Sequence, residues 1–273
     1  MATVNRGTYE PEADQPHGTA PPEYRYVLGM RVDALNYGDS TKRVLEWARA
    51  GRSRYVCVAN VHMVMEAFDS EEFKEVVNSA DLVTPDGRPL VWALRLLGVG
   101  EASQVRGADL VAHTALQAAH RDIPVGMYGA SPEVLEAFTR RLREKVPGLE
   151  VACQISPPFR KLTPEEDEQL TRQIADSGAR ILFVGLGCPK QERWMADHRE
   201  KIPAVMLGVG AAFDFHAGTL REAPDWMQRA GLEWLFRMLM DPRLWRRYAK
   251  HNPRFAILLA LQLFAIGNFR RKE

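Results

Sequence analysis

Cysteine is scarce in this 273-residue chain: Cys57, Cys153 and Cys188 lie far apart, with no Cys-x-x-Cys pair and no Cys/His cluster. That excludes a disulfide scaffold and a zinc ribbon, and it fits a reducing compartment. Net charge is nearly absent too. Thirty-six Lys and Arg meet 35 Asp and Glu, leaving +1 and no global basic field of the kind that binds nucleic acid. The apolar run Phe255–Phe269 has fifteen residues, about 22 Å of helix. That falls short of the ~30 Å hydrocarbon core of a membrane. Residues 1–24 carry four Pro, four acids and no apolar segment, so they predict a disordered tail rather than a signal or transit peptide. No internal repeat of fixed period is present.

What is there reads as globular: 46% hydrophobic and 26% charged residues, in a length that suits one large domain or two small ones. Apolar runs alternate with amphipathic stretches. Strands are predicted at Tyr24–Leu28, Tyr55–Val58, Leu82–Thr84, Val125–Tyr128, Leu149–Cys153, Ile181–Gly185 and Ala204–Val209. Helices are predicted at Ser40–Ala50, with Asp39 or Ser40 as cap, and at Val61–Asp69, Glu71–Ser79, Arg88–Leu97, Ala108–His120, Pro132–Lys145 and Pro164–Ser177, with another from about Pro189. The fold expected over 25–218 is α/β: a mainly parallel, Rossmann-like sheet with helices on both faces. Beyond Gly218 the pattern is helical only. Residues 219–273 carry a net +6 against −5 for the rest, so a neutral total hides a basic helical appendage.

Five segments carry candidate chemistry. A buried strand ends at Asn60, whose amide can face a ligand or cap the next helix; His62 can be a base, a ligand or a structural histidine. In Thr84-Pro-Asp86-Gly87 a carboxylate sits between Pro and Gly at a strand end. It suits a proton acceptor for an attacking hydroxyl, and also an ordinary turn. Gly185-Leu-Gly187-Cys-Pro-Lys190-Gln191 follows a strand, with Pro189 expected at the first helical position, and its amides suit a diphosphate. The segment lacks the third Gly of a dinucleotide fingerprint and the Gly-Lys-Ser/Thr of a P-loop. Cys188 has no evident partner base. Gly208-Val-Gly210-Ala-Ala-Phe213-Asp214 is a second such turn, with Asp214 a sugar-hydroxyl ligand or a helix cap. The basic end interleaves Arg237, Arg243, Arg246, Arg247, Lys250 and Arg254 with Trp234, Trp245 and Tyr248. The guanidinium groups of Arg246 and Arg247 can clamp phosphate; the cluster beside Phe255–Phe269 also fits an interfacial helix on anionic lipid, or a solvated charged face followed by a core helix.

Taken together, ANVHMVMEA, ADLVTPDGRPLVWALRLLG, VRGADLV, ILFVGLGCPKQERW, GVGAAFDFHAGTLREAPDWMQRAGLEWLFR and DPRLWRRY resemble the WecG/TagA/CpsF family of bacterial glycosyltransferases (glycosyltransferase family 26) over about residues 25–250. The resemblance implies inverting transfer from a UDP-sugar to a polyprenyl-diphosphate-linked sugar. It further implies an enzyme on the cytoplasmic face of the membrane, held peripherally by the C-terminal helices, in exopolysaccharide or other surface-glycan synthesis. Carried over by position, Asp86 matches the family's proposed general base, Asn60 the first-strand Asn, and Gln191 the Pro-Lys-Gln-Glu segment. Arg237 and Arg247 match arginines of the appendage thought to meet the donor diphosphate. Lys190, from the Gly-x-Gly turn, and Arg246, from the basic end, complete the candidate substrate-binding set. No Asp-x-Asp motif is present to hold Mg²⁺, so neither metal nor cofactor is expected. The family often reads Thr-Pro-Asn-Ala-Glu where this chain has Val58-Ala-Asn60-Val-His62, which bears on sugar preference. A homo-oligomer is compatible with the sequence. Two rivals are a soluble nucleotide-dependent oxidoreductase and a non-catalytic membrane adaptor.

Overall fold

The computed structural model describes residues 20–270. The first 19 residues of the expected tail lie outside the described residues; Tyr24, placed in the tail as well, belongs to the first strand.

That strand, β1 (Tyr24–Val27), pairs antiparallel with β2 (Met30–Asp33), a strand the sequence pattern did not reveal. Two residues join them, Leu28 and Gly29, at φ of 53° and 86°. A tight hairpin of this hand requires positive φ at both central positions, and Leu28 adopts it against its side chain's preference. The Leu28 N–H donates to the Gln262 side chain from the far end of the chain, and Gln262 Nε2 donates back to the Tyr26 carbonyl, so tertiary contacts hold the turn.

The remaining strands form one six-stranded sheet, all parallel: β3 (Arg54–Ala59), β4 (Leu82–Pro85), β5 (Val125–Gly129), β6 (Val151–Ile155), β7 (Ile181–Gly185) and β8 (Val205–Gly208), in the order β4-β3-β8-β7-β5-β6. Successive side chains enter two separate cores. Tyr55, Cys57 and Ala59 face one, Val56 and Val58 the other; Ile181 and Phe183 oppose Leu182 and Val184 in the same way. Burial on both faces is why these strands are continuously apolar.

The first core is covered by α2 (Val61–Asp69), α3 (Glu71–Asn78), α4 (Arg88–Leu96), α7 (Pro164–Asp176) and α8 (Lys190–Asp197); the second by α1 (Tyr37–Arg49), α5 (Gly107–Ala119), α6 (Pro132–Lys145) and α9 (Ala212–Ala217). Helix α1 starts three residues before the expected Ser40, because Asn36 rather than Asp39 or Ser40 is its cap: the Asn36 side chain accepts the Asp39 N–H, and Ser40 is buried. Strand β6 sits two residues later than expected. After β3 the chain goes to the first face and after neighbouring β8 to the second. A crevice therefore opens at the carboxyl ends of these two strands, where parallel α/β sheets bind ligands.

The C-terminal part is helical as expected: α10 (Asp225–Arg229), α11 (Glu233–Met240), a 3₁₀ turn at Pro242–Leu244, and α12 (Trp245–Arg270), with Pro253 inside. Helix α12 packs on α2. Phe255 and Leu259 are buried in the first core, and Arg254 pairs with Asp69 at 2.6 Å. The opposite stripe, Ala256, Ile257, Ala260, Leu261, Phe264 and Ala265, is exposed and wholly apolar. Among the described residues, no helix is long and apolar enough to cross a membrane.

Candidate active site

Four strand ends and the appendage enclose a cavity of about 260 Å³. Asn60, His62, Asp86, Gly187, Gln191, Arg237 and Arg247 all line it, so residues far apart in the sequence meet there.

Asp86 follows the last residue of β4. Its N–H donates to the Ala59 carbonyl at 2.8 Å, tying the turn to the end of β3. The carboxylate Oδ1 accepts the N–H of Gly107, the first residue of α5, at 2.9 Å, and Gln104 Nε2 donates to the Asp86 carbonyl. Burial and the neighbouring Glu233 push the carboxyl from its ordinary 3.8 up to about 6, against the opposing pull of the Gly107 bond, Arg106 and Arg237. A carboxylate poised there is mostly ionised at neutral pH yet a stronger base than a surface Asp.

Asn60 does two things. Its Oδ1 accepts the Met63 N–H at 3.3 Å as the cap of α2, while the residue lines the cavity. Gln191 is buried and committed to protein partners: its Oε1 accepts the Gly187 N–H and its Nε2 donates to Glu192. The Gly187 amide, expected to face a diphosphate, is therefore occupied. Pro189 is the cap residue of α8, not its first helical residue.

Four expected binding residues stand off the cavity. Gly185 is needed for packing instead: a Cβ there would meet the Phe213 ring at 2.7 Å. Lys190 is exposed at the start of α8. Asp214 lies inside α9, whose cap residue is Ala211, and its Oδ1 accepts the Thr219 hydroxyl at 3.1 Å, so it is neither a cavity ligand nor the helix cap. Arg246 points to solvent beside Arg243, which pairs with Asp241.

The guanidinium groups at the cavity differ in what they meet. Arg106, which sequence reasoning passed over, spends its charge on Asp109, Glu222 and Glu233 at 3.2–3.5 Å. Arg247 stacks over Tyr248, and its Nε is buried with no protein partner; Arg237 stacks over Phe215. No carboxylate among the described residues pairs with either. A buried donor left in this state costs free energy that an anionic ligand would recover. Gln104, Arg106, Gly107 and Glu233 were missed as site residues. Their signal was indirect: Arg106 and Gly107 lie in VRGADLV and Glu233 in RAGLEWLFR, with no spacing that sets them opposite Asp86.

A switch-point crevice that sets a carboxylate near two guanidinium groups free of salt bridges suits a group-transfer enzyme acting on an anionic substrate. A sequence model of the glycosyl transferase WecG/TagA/CpsF family matches residues 25–268. Two similar proteins are N-acetylglucosaminyldiphosphoundecaprenol N-acetyl-beta-D-mannosaminyltransferases. The one from Bacillus spizizenii is 32% identical over 197 residues, 72% of this chain and 75% of its own. The one from Bacillus subtilis is 26% identical over 203 residues, 74% and 77% of the two chains. The chain belongs to the WecG/TagA/CpsF glycosyltransferase family and is a hexosyltransferase. That sets aside the oxidoreductase.

Proposed function

We propose that this enzyme transfers a sugar from a UDP-sugar to a polyprenyl-diphosphate-linked glycan, with inversion, at the cytoplasmic face of the membrane, in synthesis of an exopolysaccharide or related surface glycan. The observation that carries the reading is the presence, within one cavity, of the Asp86 carboxylate and of Arg237 and Arg247, neither of which forms a salt bridge among the described residues. The relatives' names add a diphosphate-lipid acceptor and a hexosamine as the transferred group.

In this mechanism an acceptor hydroxyl attacks the anomeric carbon from the side opposite UDP. The new C–O bond forms as the bond to the UDP oxygen breaks, and the hydroxyl proton passes to Asp86. Negative charge grows on the departing diphosphate, and Arg237 and Arg247 are the groups placed to offset it. No step requires a metal. Asn60 is placed to orient a sugar hydroxyl through its free amide donors.

The test is UDP release from a panel of UDP-sugars, with a polyprenyl-diphosphate-linked mono- or disaccharide supplied in detergent. Acceptor-dependent release from one donor supports the reading and identifies the sugar. If no donor is consumed, calorimetry with UDP decides: binding means a wrong acceptor or donor, and no binding overturns the UDP-sugar reading.

Membrane attachment is assigned to the exposed stripe of α12, with Lys250 and Arg246 on the preceding turns. Leu261 and Phe264 are 60% and 70% exposed, so charging them leaves the fold intact. Leu261→Glu with Phe264→Glu is expected to cut co-sedimentation with anionic vesicles at least about 10-fold, with an unchanged far-UV circular dichroism spectrum. Undiminished sedimentation would place the attachment elsewhere.

A further inference from the structure

One cluster borders the cavity through His62 and lies where α2 and α12 meet. His62 and Glu66 are four residues apart on α2 and so share a face, and His251 reaches them from α12. One donor atom from each lies within 4.8 Å of the other two. His62 Nδ1 is 3.7 Å from Glu66 Oε1, and His251 Nε2 is 3.9 Å from the same oxygen. Both separations are beyond hydrogen-bond length, so the three side chains converge without bonding one another. The imidazole rings are 5.1 Å apart. His251 is only 5% exposed, and both rings have a buried Nδ1 with no protein partner.

The orientation of His62 adds a second observation. Its Nδ1 is turned to Glu66 and is buried with no protein partner. Burial favours the neutral form of both rings, the form that coordinates a metal.

We propose that His62, Glu66 and His251 bind a divalent transition-metal ion of the zinc type, which clamps α12 onto α2 beside the active-site cavity. Two imidazoles and a carboxylate form a donor set suited to Zn²⁺, with a fourth position for water. At Zn–N and Zn–O lengths of about 2.0–2.2 Å, tetrahedral ligands stand roughly 3.3 Å apart. Each side chain then needs to shift by less than about 1 Å. Arg247 and Lys250 also face the cluster, against Glu66 and Asp69, so affinity comes from donor geometry rather than from an anionic field. Arg247 precedes His251 by one helical turn. A bound ion would therefore fix the helix that carries this arginine, without joining the transfer step and whichever sugar is transferred.

The experiment uses the full chain, freed of metal by chelation and dialysis, titrated with ZnCl₂ by calorimetry and with Co²⁺ followed by visible absorption. Expected is one equivalent of Zn²⁺ bound with a Kd of about 1 μM or tighter, a tetrahedral Co²⁺ spectrum and a higher unfolding midpoint for the zinc-loaded protein. Glu66→Gln and His251→Gln should each weaken binding at least about 100-fold and abolish the rise in midpoint. If His251→Gln fails to fold, Glu66→Gln carries the test, since that carboxylate is one-third exposed. Absence of uptake by the folded wild-type protein overturns the proposal and leaves a solvent-bridged cluster. Zinc binding that survives both substitutions overturns it equally, by placing the ion elsewhere.

Discussion

Asp86→Asn should lower turnover by about 10²–10⁴-fold while changing the affinity for UDP by less than about 2-fold. The substitution keeps the size of the side chain and can still accept the Gly107 N–H, so the turn between β4 and α4 survives. What it removes is the proton acceptor. In the wild type, kcat should rise with pH through about 6 and then flatten, because the group works only when ionised. The same displacement affects stability with a definite sign. The folded state binds this proton more tightly than the unfolded chain does, so stability declines as pH rises from about 4 to about 6 and is level above. Two pKa units correspond to an upper figure of about 3 kcal/mol. Asp86→Asn is therefore expected to unfold at a higher temperature than wild type at pH 7, by an amount that disappears near pH 4. Loss of turnover together with a lower midpoint would mean that the side chain serves the fold instead. Retained turnover would remove it as the base.

Arg247→Ala should raise the donor KM by about 10- to 100-fold, the value of a charge-assisted contact of roughly 1.5–3 kcal/mol. A smaller fall in kcat should accompany it, as charge on the departing diphosphate loses a partner. Arg247→Lys is expected to recover only part of the loss, since an ammonium keeps the charge but not the planar fork. Because the Arg247 Nε has no protein partner, its removal should leave the unfolding midpoint of the ligand-free protein nearly unchanged. Equal weakening toward UDP and toward a glycan lacking diphosphate would point to a distorted cavity rather than a lost phosphate contact.

Most of the parallel sheet was legible because its strands are buried on both faces, and such strands are short, apolar and bounded by turns. Strand β2 was not. Met30–Asp33 contains Arg31 and Asp33, which look like surface residues in the sequence, yet both are buried. Arg31 Nε donates to Asp33 at 2.8 Å, and Asp33 in turn accepts the Val83 N–H at 2.7 Å. Mutual satisfaction permits the burial, and it depends on residues fifty positions apart. Helix α1 was misplaced for a local reason, since Asn36, Asp39 and Ser40 are all competent caps and the burial of Ser40 decided among them.

The candidate site divides in the same way. Sequence by itself determined the alternation of strands and helices, the Pro-Asp-Gly turn at a strand end, the basic C-terminal helices and the family motifs. All of these follow from local pattern and residue type. It could not tell which arginines face inward: Arg246 and Arg247 are neighbours, and only the rotation of α12, set by Phe255 and Leu259 in the core, turns Arg247 to the cavity and Arg246 to solvent. Nor could it show that Gly107 bonds to Asp86 across 21 positions of chain, or that Glu233 lines the same cavity from 147 positions away. Those contacts, and the convergence of His62 and Glu66 with His251, come from helix packing. Packing is fixed by the burial of distant apolar faces against one another, and no short window of sequence contains both faces.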